Sequence, residues 1–274
     1  MRLMFAGVRG SMPVCGPQFA RFGGHTSCVA VTHDGGTRPT LVLDAGTGIT
    51  QLSPQFQTAP FIGTILLTHL HWDHVQGLPF FAPADRAAAR VTVAMPAQGD
   101  ARQLLERAMS PPHFPIGPDG LLGSWSFEPL EPGVHDIEGF EVTALDVPHK
   151  GVRTFGYRVS DGGRTFAYLP DHGPHGLEAS ADGRAAALTL AHHVDVLIHG
   201  GQFLGAERVI ADNYGHATLD DAIELATAAE VGRLVVTHHG PTRTDEAIDA
   251  LLRESSSGFA RPLTAAMEGC VLEV

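Results

Sequence analysis

Residues 69–74 read His-Leu-His-Trp-Asp-His, three imidazoles and a carboxylate within six positions. They follow directly on Thr-Ile-Leu-Leu-Thr at 64–68, an apolar, β-branched run of the kind that fills a buried strand. In extended chain, side chains two apart point the same way, so His69 and His71 are expected to reach one ion, and a turn after them lets Asp73 and His74 face a neighbouring one. Without a cation, four such groups desolvated together would repel or be left unpaired, which is costly. Trp72, inside the run, reads most simply as a core residue. Two dications roughly 3.5–4 Å apart can share a water, lower its pKa towards 7 and polarise the oxygen it attacks, as in hydrolytic phosphatases and nucleases. Nitrogen and carboxylate donors with no cysteine among them suit zinc first, with manganese or iron as alternatives.

Such a cluster needs a rigid frame, and the chain supplies many short elements. Strand-like runs fall at 3–5, 28–32, 40–44, 64–68 and 90–94, then at 141–146, 154–160, 164–169, 194–199 and 233–237. Asp34-Gly35 lies between the second and third runs and predicts an antiparallel pair. Helical patterns occupy 99–110, with Asp100 as an N-cap, then 217–230 and 244–255. Two βαβ-like halves, each holding a sheet, predict an α/β fold, a four-layer αββα sandwich, rather than one doubly wound sheet. No linker, charge run or fixed-period repeat divides the halves, so residues 1–274 are read as a single domain.

Composition narrows the function classes. Apolar residues make up 43% of the 274 and charged residues 18%, which excludes disorder from poor hydrophobicity. A formal charge of −12 leaves no general basic field for a long nucleic acid, so the expected partner is a small substrate. Three scattered cysteines (Cys15, Cys28, Cys270) argue against a disulfide framework and for a reducing, cytoplasmic setting. No apolar run approaches the roughly 18 residues of a membrane span. The unusual count is 16 histidines, the commonest metal ligand and the acid/base of neutral pH.

The stretch THLHWDHVQG resembles the signature of the metallo-β-lactamase superfamily, and the family's later landmarks recur in order along nearly the whole chain. His149 in VPHKGVRTFGYRV matches its third histidine, Asp171 in FAYLPDHG its metal-bridging aspartate, and His238 in LVVTHHGP its last histidine. The resemblance implies that His69, His71 and His149 hold one ion, Asp73, His74 and His238 the other, and Asp171 both. His239 is an adjacent rival to His238, which is preferred because it directly follows a strand. The segment GHATLDDAIELA resembles the HST motif of ribonuclease Z and related phosphodiesterases, which makes His216 the implied general acid for a leaving oxygen; the bland reading is that His216 and Thr218 merely open a helix. The opening GVRGSMPVCGPQFARFGGHTSC resembles that of bacterial members grouped with cyclic-phosphate and cyclic-nucleotide phosphodiesterases, but His25 stands where that group has Asn.

The expected activity is therefore that of a dinuclear metal-dependent phosphodiesterase acting on a small cyclic nucleotide or related cyclic phosphate. A metal-bridging hydroxide attacks phosphorus, Asp73 and His216 serve catalysis, and His25, His113 and His239 are candidate substrate contacts. Two alternatives stand beside it. One is a ribonuclease Z-like endoribonuclease, against which the charge and the lack of a Gly/Lys-rich arm between Asp171 and His216 count. The other is a non-catalytic carrier resembling pyrroloquinoline-quinone biosynthesis protein B. No membrane partner is expected, and a homodimer is allowed.

Overall fold

The computed structural model describes residues 1–176, 178–255 and 259–274. In chain order the strands are β1 (Arg2–Gly7), β2 (Cys28–Thr32), β3 (Leu41–Leu43), β4 (Ile62–Leu66), β5 (Arg90–Pro96), β6 (Ser124–Leu130) and β7 (Gly133–Ile137). They continue as β8 (Phe140–Val147), β9 (Thr154–Asp161), β10 (Arg164–Leu169), β11 (Val196–Gly200), β12 (Leu234–Thr237), β13 (Leu263–Ala265) and β14 (Val271–Glu273). The helices are α1 (Ser53–Phe56), α2 (Trp72–Val75), α3 (Ala101–Ala108), α4 (Ala181–Ala191), α5 (Arg208–Tyr214), α6 (Leu219–Ala228) and α7 (Asp245–Ser255).

The strands form two seven-stranded sheets, ordered β14-β1-β2-β3-β4-β5-β6 and β13-β12-β11-β10-β9-β8-β7. Side-chain alternation explains how they stack. In β2, Val29 and Val31 point into the core between the sheets while Cys28 and Ala30 point into a second core beneath the helices. In β10, Phe166 and Tyr168 join the same central core, and Ala167 and Leu169 face α4 and α6. Central strands are thus covered on both faces, which is why they read as continuous apolar runs rather than as alternating ones. Three cores between helix, sheet, sheet and helix make the expected four layers.

The predicted pairing of the second and third strands is antiparallel, with Val29 opposite Leu43. Four strands escape the sequence reading: β6, β7, β13 and β14, all at sheet edges, where half-exposed residues blur the pattern. One correction bears on the site. The strand expected over 64–68 ends at Leu66, so His69 and His71 stand in the loop between β4 and α2 rather than on extended strand.

In the first sheet β3, β4, β5 and β6 run parallel, and in the second β10, β11, β12 and β13 do. Parallel neighbours end on the same side, so the turns after β3, β4, β10, β11 and β12 gather at one rim of the sandwich. Ligands bind at this rim in open α/β sheets.

Candidate metal centre

Four segments converge at that rim. The loop after β4 and the start of α2 supply His69, His71, Asp73 and His74; the turn after β8 supplies His149; the turn after β10 supplies Asp171; the residue after β12 is His238. Their ligand atoms fall into overlapping groups: His69, His71 and His149; His69, His74 and Asp171; Asp73, His74 and His238; and His149, Asp171 and His216. His149 Nε2 lies 3.1 Å from His71 Nδ1, and His74 Nε2 lies 3.4 Å from His238 Nε2. Asp171 Oδ2 is 2.7 Å from His74 Nε2, 3.3 Å from His238 Nε2 and 4.0 Å from His69 Nε2.

The outward nitrogens are already committed, and that decides which atoms face inward. His74 Nδ1 donates to Asp44 Oδ2 at 2.8 Å, His149 Nδ1 donates to the Gly215 carbonyl at 2.6 Å, and His69 Nδ1 meets Thr68 Oγ1 at 3.0 Å. Each ring therefore turns Nε2 to the centre, the tautomer a metal ligand needs. Asp73 is oriented likewise: the Ser11 N–H donates to its Oδ2 at 2.6 Å. At the centre itself, buried His69 Nε2 lacks a hydrogen-bond partner among the described residues, and the two buried Asp171 oxygens meet only imidazole nitrogens, His216 at Oδ1 and His74 and His238 at Oδ2. Buried polar atoms are seldom left so. Nitrogen and carboxylate lone pairs converging from opposite sides fit a pair of divalent cations.

The charges agree with that use. Burial pushes His69 well below the ordinary imidazole range, with His74 adding to the effect. Burial also takes His149 down to about 4 against the pull of Asp171. Both are neutral imidazoles at pH 7, ready to donate a lone pair. Burial alone would raise Asp73 and Asp171, but the neighbouring imidazoles, His74 for Asp73 and His238 with His74 for Asp171, hold both carboxyls well below their usual range.

Asp44 is the functional residue that sequence reasoning missed. Wholly buried after β3, its carboxylate accepts from the Thr68 N–H (2.7 Å), the Thr68 hydroxyl (3.0 Å), the Tyr168 hydroxyl (3.0 Å) and His74. Its only signal is an aspartate ending an apolar strand in TLVLDAGTG. Asp44 and His238 both hold positive φ, 60° and 56°, uncommon for non-glycine residues and a form of strain that gathers at working sites.

Two glycines allow the closest approaches. A Cβ on Gly10 would sit 2.2 Å from His238 Nδ1, so the imidazole lies directly over that backbone. Gly215 has φ 73°, and a Cβ there would meet the Lys150 backbone nitrogen at 2.5 Å. That contact locks the His149 turn against the one carrying His216. His216 Nδ1 is 2.9 Å from Asp171 Oδ1, and its side chain keeps 13% exposure where Asp171 has none. Two residues on, Thr218 caps α6: the Asp221 N–H faces its hydroxyl, while Asp221 Oδ2 accepts from the Thr218 N–H at 2.8 Å. The helix opening and the place beside Asp171 thus hold together.

Other predicted positions lie elsewhere. His239 is buried, with Nε2 on the Ala266 carbonyl (3.0 Å) and its ring edge-on to Phe22. His25 is half-buried near Gln51, its backbone N–H on Glu268. His113 is exposed in the loop after α3. Trp72, expected in the core, is 77% exposed. The buried pair His172 and His199 face each other at 3.1 Å, and His175 meets Asp221.

A family model described as the beta-lactamase superfamily domain matches residues 40–239, a span holding the whole ligand cluster and His216. Ribonuclease Z of Listeria innocua is 28% identical over 240 residues, covering 71% of this chain and 76% of its own. The Zn(2+)-bound PqqB from Methylobacterium extorquens shares the fold at TM-score 0.73 and 22% identity, with 100% of each chain covered. So does a diphosphatase from the PhnP family, at TM-score 0.69 and 17% identity over 100% of this chain and 97% of that one. With a family match across most of its length and the four-layer frame in place, the chain belongs to the β-lactamase superfamily and is one of its hydrolytic enzymes.

Proposed function

We propose that the protein is a dinuclear metal-dependent phosphodiesterase for a small cyclic nucleotide or related cyclic phosphate. His69, His71 and His149 would hold one ion, Asp73, His74 and His238 the other, and Asp171 both, with zinc the first choice. Two such ions supply a hydroxide-level nucleophile near neutral pH and neutralise charge that builds on the phosphoryl oxygens. The chain's own part is to fix and protonate. Asp44, Gly215 and Ser11 hold the ligands in register, while Asp171 Oδ1 fixes His216 by Nδ1 and leaves Nε2 to carry a proton to the departing sugar oxygen.

The observation that carries this reading is the placement of His216, an imidazole more open than Asp171 at 2.9 Å from it. An alkoxide leaving group needs such an acid. The only lysine in the chain, Lys150, follows His149 directly, its Nζ on the Asn213 carbonyl at 2.6 Å. A formal charge of −12 suits a small anion better than a long polyanion. The second reading, transfer-RNA 3′ processing, is favoured by the similarity to ribonuclease Z.

One chromatographic screen decides between them: 2′,3′- and 3′,5′-cyclic nucleotides, cyclic dinucleotides and a transfer-RNA precursor, each incubated with metal-loaded protein. Turnover of a cyclic phosphate with the precursor intact is expected. Cleavage of the precursor alone overturns the cyclic-phosphate reading in favour of the ribonuclease.

A further inference from the structure

Three of the proposed histidine ligands have their outer nitrogen engaged, and one does not. His69, His74 and His149 meet Thr68 Oγ1, Asp44 Oδ2 and the Gly215 carbonyl, whereas His238 Nδ1 is buried with no hydrogen-bond partner among the described residues. A neutral imidazole that gives its Nε2 lone pair to an ion carries the proton on Nδ1, so this nitrogen needs an acceptor. Gln202 holds one close by. It follows β11 by two residues, and His238 directly follows β12, the parallel neighbour of β11. The Gln202 side chain is polar yet only 8% of the residue is exposed, and its Oε1 is likewise buried and unpartnered. Both orphan atoms flank one spot: a Cβ on Gly10 would lie 2.2 Å from His238 Nδ1 and 2.8 Å from Gln202 Oε1, so only glycine leaves it open. The terminal torsion of glutamine is broad, which lets the amide turn to close the remaining gap.

The other end of the amide leads to a second ligand. Gln202 Nε2 donates to Ser11 Oγ at 3.1 Å, and the Ser11 N–H donates in turn to Asp73 Oδ2 at 2.6 Å. That oxygen lies 3.2 Å from His238 Nε2. Ser11 holds φ 66°, a left-handed conformation that serine seldom adopts. A serine hydroxyl can donate or accept, but an imidazole N–H takes only the amide oxygen, which fixes the sense of the amide.

Resting on the ligand assignment proposed above, we propose that Gln202 is a positioning residue for the second ion: its Oε1 accepts the His238 Nδ1–H, and its Nε2 holds Ser11, whose backbone orients Asp73. It touches neither ion. Because both arms end on ligands of the same ion, its effect falls on the ion of Asp73, His74 and His238 and spares the one of His69, His71 and His149.

The test is a stepwise zinc titration of the full chain, stripped of metal, in competition with a chromogenic chelator, for wild type, Gln202→Met, Gln202→Glu and Ser11→Ala. Gln202→Met keeps the length of the side chain and loses both hydrogen-bonding ends. One zinc ion is then expected to bind about 10- to 100-fold more weakly and the other as in wild type. Gln202→Glu keeps an acceptor for His238 and should hold both ions as wild type does. Ser11→Ala cuts the second arm at an exposed residue and should weaken the same ion about 2- to 10-fold, the worth of one hydrogen bond. In zinc-loaded protein labelled with nitrogen-15 histidine, Gln202→Met should lose one slowly exchanging imidazole N–H signal that wild type shows. Two ions held equally tightly by wild type and Gln202→Met, a loss shared evenly between the ions, or an unaltered set of imidazole signals overturns the positioning role. Fewer than two ions on the wild type overturns the ligand assignment itself.

Discussion

Asp44 touches no substrate, yet four groups around the metal centre donate to it. Its bond to His74 Nδ1 has a large electrostatic consequence. Burial works against positive charge on His74, but Asp44, then Asp73 and Asp171, outweigh it and push the ring's pKa well above the ordinary range, so the site favours a cation at Nε2, the atom offered to a metal ion. Asp44→Asn removes the anion while keeping the volume, so it frees the ring to flip its tautomer. Metal affinity is expected to fall about 10- to 100-fold, read by competition with a chromogenic chelator; an unchanged affinity sinks the positioning role. His216→Ala separates acid from ligand. Metal content should stay near wild type while kcat on a cyclic nucleotide drops about 10²–10⁴-fold. The loss should be far smaller on bis-p-nitrophenyl phosphate, whose phenolate leaves without a proton. Equal losses on the two substrates, or loss of metal with the imidazole, would show that His216 is not the acid.

At the scale of elements, the turns after strands carry the chemistry and the helix openings hold it still. Thr218 both caps α6 and anchors the segment that presents His216. Thr218→Ala should lower stability by about 1 kcal/mol, a fall in Tm of roughly 2–4 °C, and lower kcat with metal content intact; Thr218→Ser should restore both. A second element works through Glu268, which ties the end of the chain to the loop before β2. Burial pushes its carboxyl up from 4.5 to about 7, against the His25 and Gly24 N–H groups and Arg9. The folded state thus keeps a proton that the unfolded chain releases near 4.5, and the stability this contributes is lost as pH rises from about 4.5 through about 7. Glu268→Gln should therefore raise Tm more at pH 8 than at pH 5, and a pH-independent difference would refute the assignment.

For the molecule as a whole, the proposed ligands come from both sheets, four from the loop after β4 and three from the turns after β8, β10 and β12. Two ions held there would join the halves of the sandwich. Elemental analysis should find about two transition-metal ions per chain, and chelation should abolish hydrolysis and lower Tm. At a hundred-fold excess of metal over its Kd the linkage is worth about 2.7 kcal/mol. A metal-free protein that is fully active and equally stable would remove the basis of the proposed mechanism. Among the described residues no helix is long and apolar enough to cross a membrane.

What could be read without coordinates was whatever is local in the chain. Six consecutive residues spell out the densest part of the metal centre, short apolar and β-branched runs mark the central strands, and Thr218 marks a helix start. Tertiary structure decided the rest, because it depends on which distant groups share one small volume. Asp44 is one aspartate among many until the fold sets it on His74, thirty residues away. Sequence prefers His238 to its neighbour His239 only for its place directly after a strand, whereas the turn after β12 sends one ring to Asp171 and the other to the Ala266 carbonyl. Trp72 looks like core by composition and is exposed because α2 is short and its three following residues claim the inward face. Periodicity says that an element has two sides; only packing against the remainder of the chain says which side meets water.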